Sequence, residues 1–130
     1  MIMIIVPMIG GKVDPEKAKA ARASSERFFQ LIDTGGYAES WKQSAAMLQE
    51  KVTEKDWMEK LSTAHASTGK LLERTEDEIS YSTSAPESPD GEYVTLVYIS
   101  NFEGAKEVTE TVTVMLDAEN RWRVAGYFIQ

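Results

Sequence analysis

One carboxylate stands where chemistry could be done. In "EVTETVTVML" (107–116) every second side chain is apolar at Val108, Val112, Val114 and Leu116, and Glu110 interrupts that series. Side chains alternate across a strand, so Glu110 is expected on the buried face with the valines. Burial disfavours a carboxylate's charged form unless a cation or several donors stabilise it. Two roles fit such a group. It is a general acid or base on the floor of a pocket, tuned by burial. Alternatively it is a satisfied internal carboxylate, bonded to Tyr98 and to Arg74 or a helix tyrosine. Arg74 lies in "LLERTEDE" (71–78), in opposite alternation to Ile79 and Tyr81. It reaches inward only if the chain turns or bulges between 74 and 79.

The other reactive residue types are sparse. His65, the only histidine, sits at the edge of an apolar stripe formed by Trp57, Leu61, Ala64 and Thr68. It reads as packing, or as a base that would need an orienting partner and a substrate within reach. Ser67, in "HAS", lacks a nucleophile-elbow context. Tyr37, Trp41 and Trp57 fall at helical spacing. They read as core, or as the aromatic lining of a pocket for an apolar or sugar-like ligand, together with Arg74, Tyr98 and Glu110. The acidic stretch "ERTEDE" (73–78) lacks the spacing and central glycine of a calcium loop and reads as a solvated strand edge. No cysteine is present, which removes thiol catalysis, disulfides and the usual structural zinc sites. No metal and no cofactor are expected.

The elements that hold these residues fit one domain. The chain has 130 residues, is 42% hydrophobic and carries a net charge of −7. Acidic residues outnumber basic ones 21 to 14, which disfavours nucleic acid and an anionic membrane surface as partners. Residues 1–13 form an apolar N-terminal segment, "MIMIIVPMIGGKV", and residues 14–130 a single domain. The apolar run at 1–9 is too short to span a bilayer. It reads as the remnant of an export signal, although no basic region precedes it and no cleavage pattern follows. An extra edge strand or an oligomer contact is the alternative.

Asp14 and Pro15 open a first helix whose apolar positions, Ala18, Ala21, Phe28, Phe29 and Ile32, recur at helical spacing until "DTGGY" stops it. Tyr37, Trp41, Ala45 and Leu48 predict a second helix, and "TEKD" (53–56) caps a third that ends at Gly69. From about residue 71 the period changes to two. Four strands follow, separated by the loop "SAPESPDG" (84–91), a short turn at 103–105 and "DAEN" (117–120). The expected fold is α+β: three N-terminal helices packed on one face of a four-stranded antiparallel meander. Matching apolar pairs sets Phe102 opposite Lys106, Val94 opposite Val114, Leu96 opposite Val112 and Tyr98 opposite Glu110. On the other side Leu116 faces Trp122, Val114 faces Val124, Val112 faces Gly126 and Glu110 faces Phe128.

"FFQLIDTGGYAESW" (28–41), "DWMEKL" (56–61), "PDGEYVTLVYISNF" (89–102), "KEVTETVTVML" (106–116) and "WRVAGYFI" (122–129) together resemble the bacterial domain-of-unknown-function family numbered 4019. The similarity runs from about residue 15 to the C-terminus. It implies a small exported protein, periplasmic or extracellular, with a cytoplasmic location as the alternative, and no established activity. Its order of elements is similar to cystatin-like and nuclear-transport-factor-like cones, which carry a pocket between sheet and helix. Three functions are expected from these readings. The first is a non-catalytic binding or accessory domain that contacts a small molecule or protein through the sheet–helix pocket or the 84–91 loop. The second is a pocketed enzyme using Glu110, with His65, Tyr98 or Arg74 assisting. The third is a self-association module, a possible homodimer, joined through residues 1–9.

Overall fold

A computed structural model describes residues 11–84 and 88–130. The apolar run at 1–9 lies outside these residues, as does part of the 84–91 loop. Helix α1 spans Pro15–Asp33. Asp14 caps it by accepting from the backbone N–H groups of Glu16 and Lys17, at 3.1 and 3.3 Å. Its buried stripe is Ala18, Ala21, Ser25, Phe28, Phe29 and Ile32. Gly35, at φ +85°, turns the chain out of the helix.

Four helices form where three are expected. Helix α2 (Tyr37–Lys42) and helix α3 (Ala46–Lys51) replace one continuous helix. The break falls at Ala45, whose backbone is extended and whose N–H donates to the carbonyl of Val124 at 2.8 Å. The chain gives up a helical turn there in exchange for docking on the sheet edge. Helix α4 (Glu54–Thr68) begins at Thr53, which accepts from the N–H of Asp56 at 3.1 Å. It ends at Gly69, at φ +77°.

Strands β1 (Leu71–Ser82), β2 (Tyr93–Phe102), β3 (Ala105–Leu116) and β4 (Trp122–Ile129) form an antiparallel meander in sequence order. Helices α1 and α4 and the sheet enclose the main core, which includes Phe28, Phe29, Trp57, Leu61, Leu96, Val112 and Val114. The helical cover is not confined to that face. Met47 of α3 packs with Tyr93 and Ala125 in a second, smaller cluster, and Tyr93 points away from its core-facing neighbour Val94. Among the described residues no helix is long and apolar enough to cross a membrane.

The register holds over much of the sheet and shifts at four places, one of them at the start of β1 between Leu71 and Glu73. Val94–Val114, Leu96–Val112 and Tyr98–Glu110 pair as expected. Phe102 faces Ala105 instead of Lys106, and a bulge near Glu107 (φ +50°) restores the ladder by Ser100–Val108. The β1 ladder slips between Glu76 and Glu78, which is the bulge Arg74 needs to face inward opposite Ser100. On β4, Val124 pairs with Val114 but Gly126 pairs with Thr113, which leaves Ala125 extra. This corrects two expected pairs: Val112 faces Tyr127 and Glu110 faces Ile129, while Phe128 sits beside Thr111.

Candidate functional site

Glu110 is 1% exposed and lies at the centre of a polar cluster inside the core. Arg74 Nε donates to its Oε1 at 2.9 Å and Ser100 Oγ donates to the same oxygen at 2.6 Å. The Tyr127 hydroxyl donates to Oε2. A buried carboxylate with a guanidinium and two hydroxyl donors has its charge satisfied within the protein. Arg74 extends the cluster outward. Its two terminal nitrogens donate to the Asp33 carboxylate at 2.7 and 3.1 Å, so one guanidinium bridges two acids. The Phe29 ring lies 3.6 Å from the guanidinium carbon, and Tyr98 meets Phe29 edge-on.

The titrations follow this geometry. Burial pushes the Tyr127 phenol well above its ordinary value, and the Glu110 charge adds to the push. Burial alone would lower Arg74, but the Asp33 hydrogen bond and the Glu110 charge outweigh it and hold Arg74 above its ordinary value. Burial also raises Tyr98, against the Ser25 hydrogen bond.

The expected site residues separate into distinct places. Tyr98 is the cross-strand neighbour of Glu110, but its hydroxyl pairs with Ser25 Oγ at 2.8 Å and does not bond to the carboxylate. Tyr37 and His65 line a cleft with Asp33, Glu110 and Tyr127, and their rings lie 6.3 Å apart. That cleft holds about 20 Å³, room for about one water molecule. Trp57 is fully buried, and its indole N–H donates to Ser40 Oγ at 2.9 Å. Trp41 is half-buried and donates to the Val52 carbonyl at 2.9 Å. Arg74 and Tyr98 line a separate, more open depression between α1 and β1, with Arg22, Glu26, Asp33 and Glu76.

A larger cleft of about 470 Å³ opens between α1 and β4, and the sequence reading missed it. Phe28, Leu31, Trp122 and Val124 give it apolar walls. Arg27 lines it from the helix, Arg121 from the turn that precedes β4 and Arg123 from the strand. A helical stripe three to four residues apart, Ala20, Ala23, Arg27 and Leu31, was the available signal. It is a second face of α1, beside the buried one. Asp33 and Tyr127 were also missed as partners in the Glu110 cluster. Asp33 reads as part of a helix stop, and Tyr127 comes inward only through the extra residue at 125.

No curated protein matches this chain. A family model described as "Protein of unknown function (DUF4019)" matches residues 24–127, from the middle of α1 to the inward tyrosine of β4. That span holds every member of the Glu110 cluster and all three arginines of the α1–β4 cleft, and the chain belongs to the DUF4019 family.

Proposed function

We propose that this chain is a small exported binding domain without catalytic activity of its own, and that the cleft between α1 and β4 is its contact site. One comparison carries the reading. The space over Glu110 is about 20 Å³, whereas the α1–β4 cleft is about 470 Å³ and falls in the range of small-molecule sites. A general acid or base must come within hydrogen-bond reach of a substrate proton. Arg74, Ser100 and Tyr127 already occupy the Glu110 oxygens, and packed side chains fill the approach. In this reading the Glu110 cluster is an internal strut that fixes α1 against β1 and β3. Export is read from the apolar run at 1–9.

The test is an amide-resolved NMR titration with a mixture of neutral, cationic and anionic fragments. Saturable shifts are expected at Arg27, Asn120, Trp122 and Arg123. Shifts concentrated at His65, Glu110 and Tyr127 would overturn the assignment and favour the enzymatic reading.

A further inference from the structure

The α1–β4 cleft has a charge pattern at odds with the rest of the chain. The protein has a net charge of −7, yet three arginines and, among the described residues, no aspartate or glutamate line this cleft. The depression on the other side of α1 carries Glu26, Asp33 and Glu76, and its two arginines, Arg22 and Arg74, are already paired with Glu76 and Asp33. The contrast separates two concave surfaces of one helix, and only one of them suits an anion.

The arginines are not equivalent. Arg121 is held by Asp117 at 3.3 Å and by Glu119. Arg123 donates to Asp117 at 3.0 Å and to the Gln43 carbonyl at 3.0 Å. These bonds fix the Arg121 and Arg123 guanidiniums in place and compensate two of the three positive charges. Arg27 has no ion-pair or hydrogen-bond partner among the described residues. One positive charge is therefore left over, on an exposed guanidinium opposite the strand. The Trp122 indole N–H likewise has no acceptor among the described residues, and neither does the Asn120 side chain. Donors thus converge on the cleft from both walls, and the nearby serine hydroxyls are already committed. Ser24 Oγ donates to the Trp122 carbonyl at 2.9 Å, and Ser40 Oγ donates to the Tyr37 carbonyl at 2.6 Å.

We infer that this cleft binds a monoanionic carboxylate attached to a flat apolar body, with Arg27 taking the carboxylate and the half-buried Leu31 and Trp122 taking the body. The inference rests on the α1–β4 cleft being the contact site. A guanidinium presents paired N–H donors that match both oxygens of a carboxylate. The single uncompensated charge suits a monoanion better than a phosphate dianion. The apolar walls supply area that a bare inorganic anion would leave wet. A free aromatic or aliphatic acid and the C-terminal end of a peptide present the same group.

The deciding experiment titrates phenylacetate, phenylacetamide and phenethylammonium into the protein, followed by the amide and indole resonances of the cleft. Phenylacetate is expected to bind about tenfold more tightly than phenylacetamide, which lacks the charge. Arg27→Gln, an exposed substitution, is expected to remove that preference without changing the melting temperature. If phenylacetamide or phenethylammonium binds the cleft as tightly as phenylacetate, the anion assignment falls and the cleft remains the contact site. If none of the three moves the cleft resonances, both fall. Acetyl-Gly-Phe and its C-terminal amide then separate the two sources. A peptide acid binding more tightly than phenylacetate, and its amide losing that gain, assigns the site to peptide ends. A peptide acid binding more weakly assigns it to free small acids.

Discussion

Arg74 and Glu110 come within 2.9 Å of each other from strands that do not pair. β2 lies between them, and Ser100 of β2 donates to the same Glu110 oxygen that Arg74 contacts. The ion pair therefore ties β1 to β3 over the top of their common neighbour. Through Asp33 it also ties both to the end of α1.

Glu110→Gln is expected to lower the unfolding free energy by about 3–5 kcal/mol at neutral pH, as removal of one partner from a buried ion pair does. Gln keeps the size but removes the charge and adds a donor among donors. Urea denaturation of the variant against the parent checks this. A neutral or stabilising effect would mean that the carboxylate is not a strut, and would return it to consideration as a functional group.

Tyr127→Phe removes one donor from Glu110 and leaves the ion pair in place. The expected loss is about 1–3 kcal/mol, the cost of a buried acceptor short of one partner. The substitution is also expected to weaken the alkaline response described next, which a loss of packing alone would not do.

All five tyrosines are held above their ordinary pKa, with burial the largest cause in each case. The unfolded chain then binds fewer protons than the folded one once the pH passes about 10. Stability is therefore full below that pH and falls above it, by about 1.4 kcal/mol per pH unit for each tyrosine kept protonated. Tyr127, the phenol pushed furthest above its ordinary value, is expected to ionise only as the protein unfolds. Tyrosinate absorbance and far-ultraviolet circular dichroism followed together above pH 10 should therefore move as one transition.

The acid limb has the opposite sign. Burial opposes ionisation of Asp117, but its bonds to the backbone N–H groups of Arg121 and Glu119 and to Arg123 prevail and lower its pKa. The Lys17 hydrogen bond lowers Glu92. The stability these two groups contribute is present above their ordinary pKa values, near 4, and is lost as the pH falls further. Melting temperature measured between pH 5 and 2 should drop, and Asp117→Asn should flatten the part of the drop that Asp117 contributes.

Gly104→Ala is expected to cost about 1–3 kcal/mol, the range for overpacking a filled site. The hairpin tip rests on the end of α4, with the Gly104 N–H donating to the Thr68 carbonyl at 2.8 Å. An added Cβ would lie 2.9 Å from that same carbonyl oxygen, so the hairpin or the helix end has to move. Thermal denaturation of the variant gives the value directly.

Alternation and capping made most of the fold legible. Asp14, Thr53 and the glycines at 35 and 69 mark helix ends that the structure keeps, and the inward series Val94, Leu96, Tyr98 reads straight from "EYVTLVYISNF". Glu110 was visible because it breaks such a series. What escaped depends on contacts between distant segments. Ala45 leaves its helix to meet Val124, a bond that no local pattern announces. Arg74 turns inward through a slip near Asp77 that the sequence allows but does not require. The α1–β4 cleft is a relation between Arg27 and Arg121, which are far apart in the chain and lie on walls that meet only in the folded protein.

The unpaired Ala125 gives β4 two reading frames. Up to Val124 the strand presents its even-numbered residues to the core, and from Tyr127 onward its odd-numbered ones. One residue thus decides whether the core receives a phenol that can donate to Glu110 or the ring of Phe128, which cannot. A single-residue deletion at this point would leave every other residue of the chain unchanged. It would join the Val124–Val114 and Gly126–Thr113 pairs into one unbroken ladder with Tyr127 and Ile129 still facing the interior, whereas a regular ladder that kept Ala125 in register would turn Phe128 inward instead. Length, at this one position, is as much a part of the specification as side-chain identity.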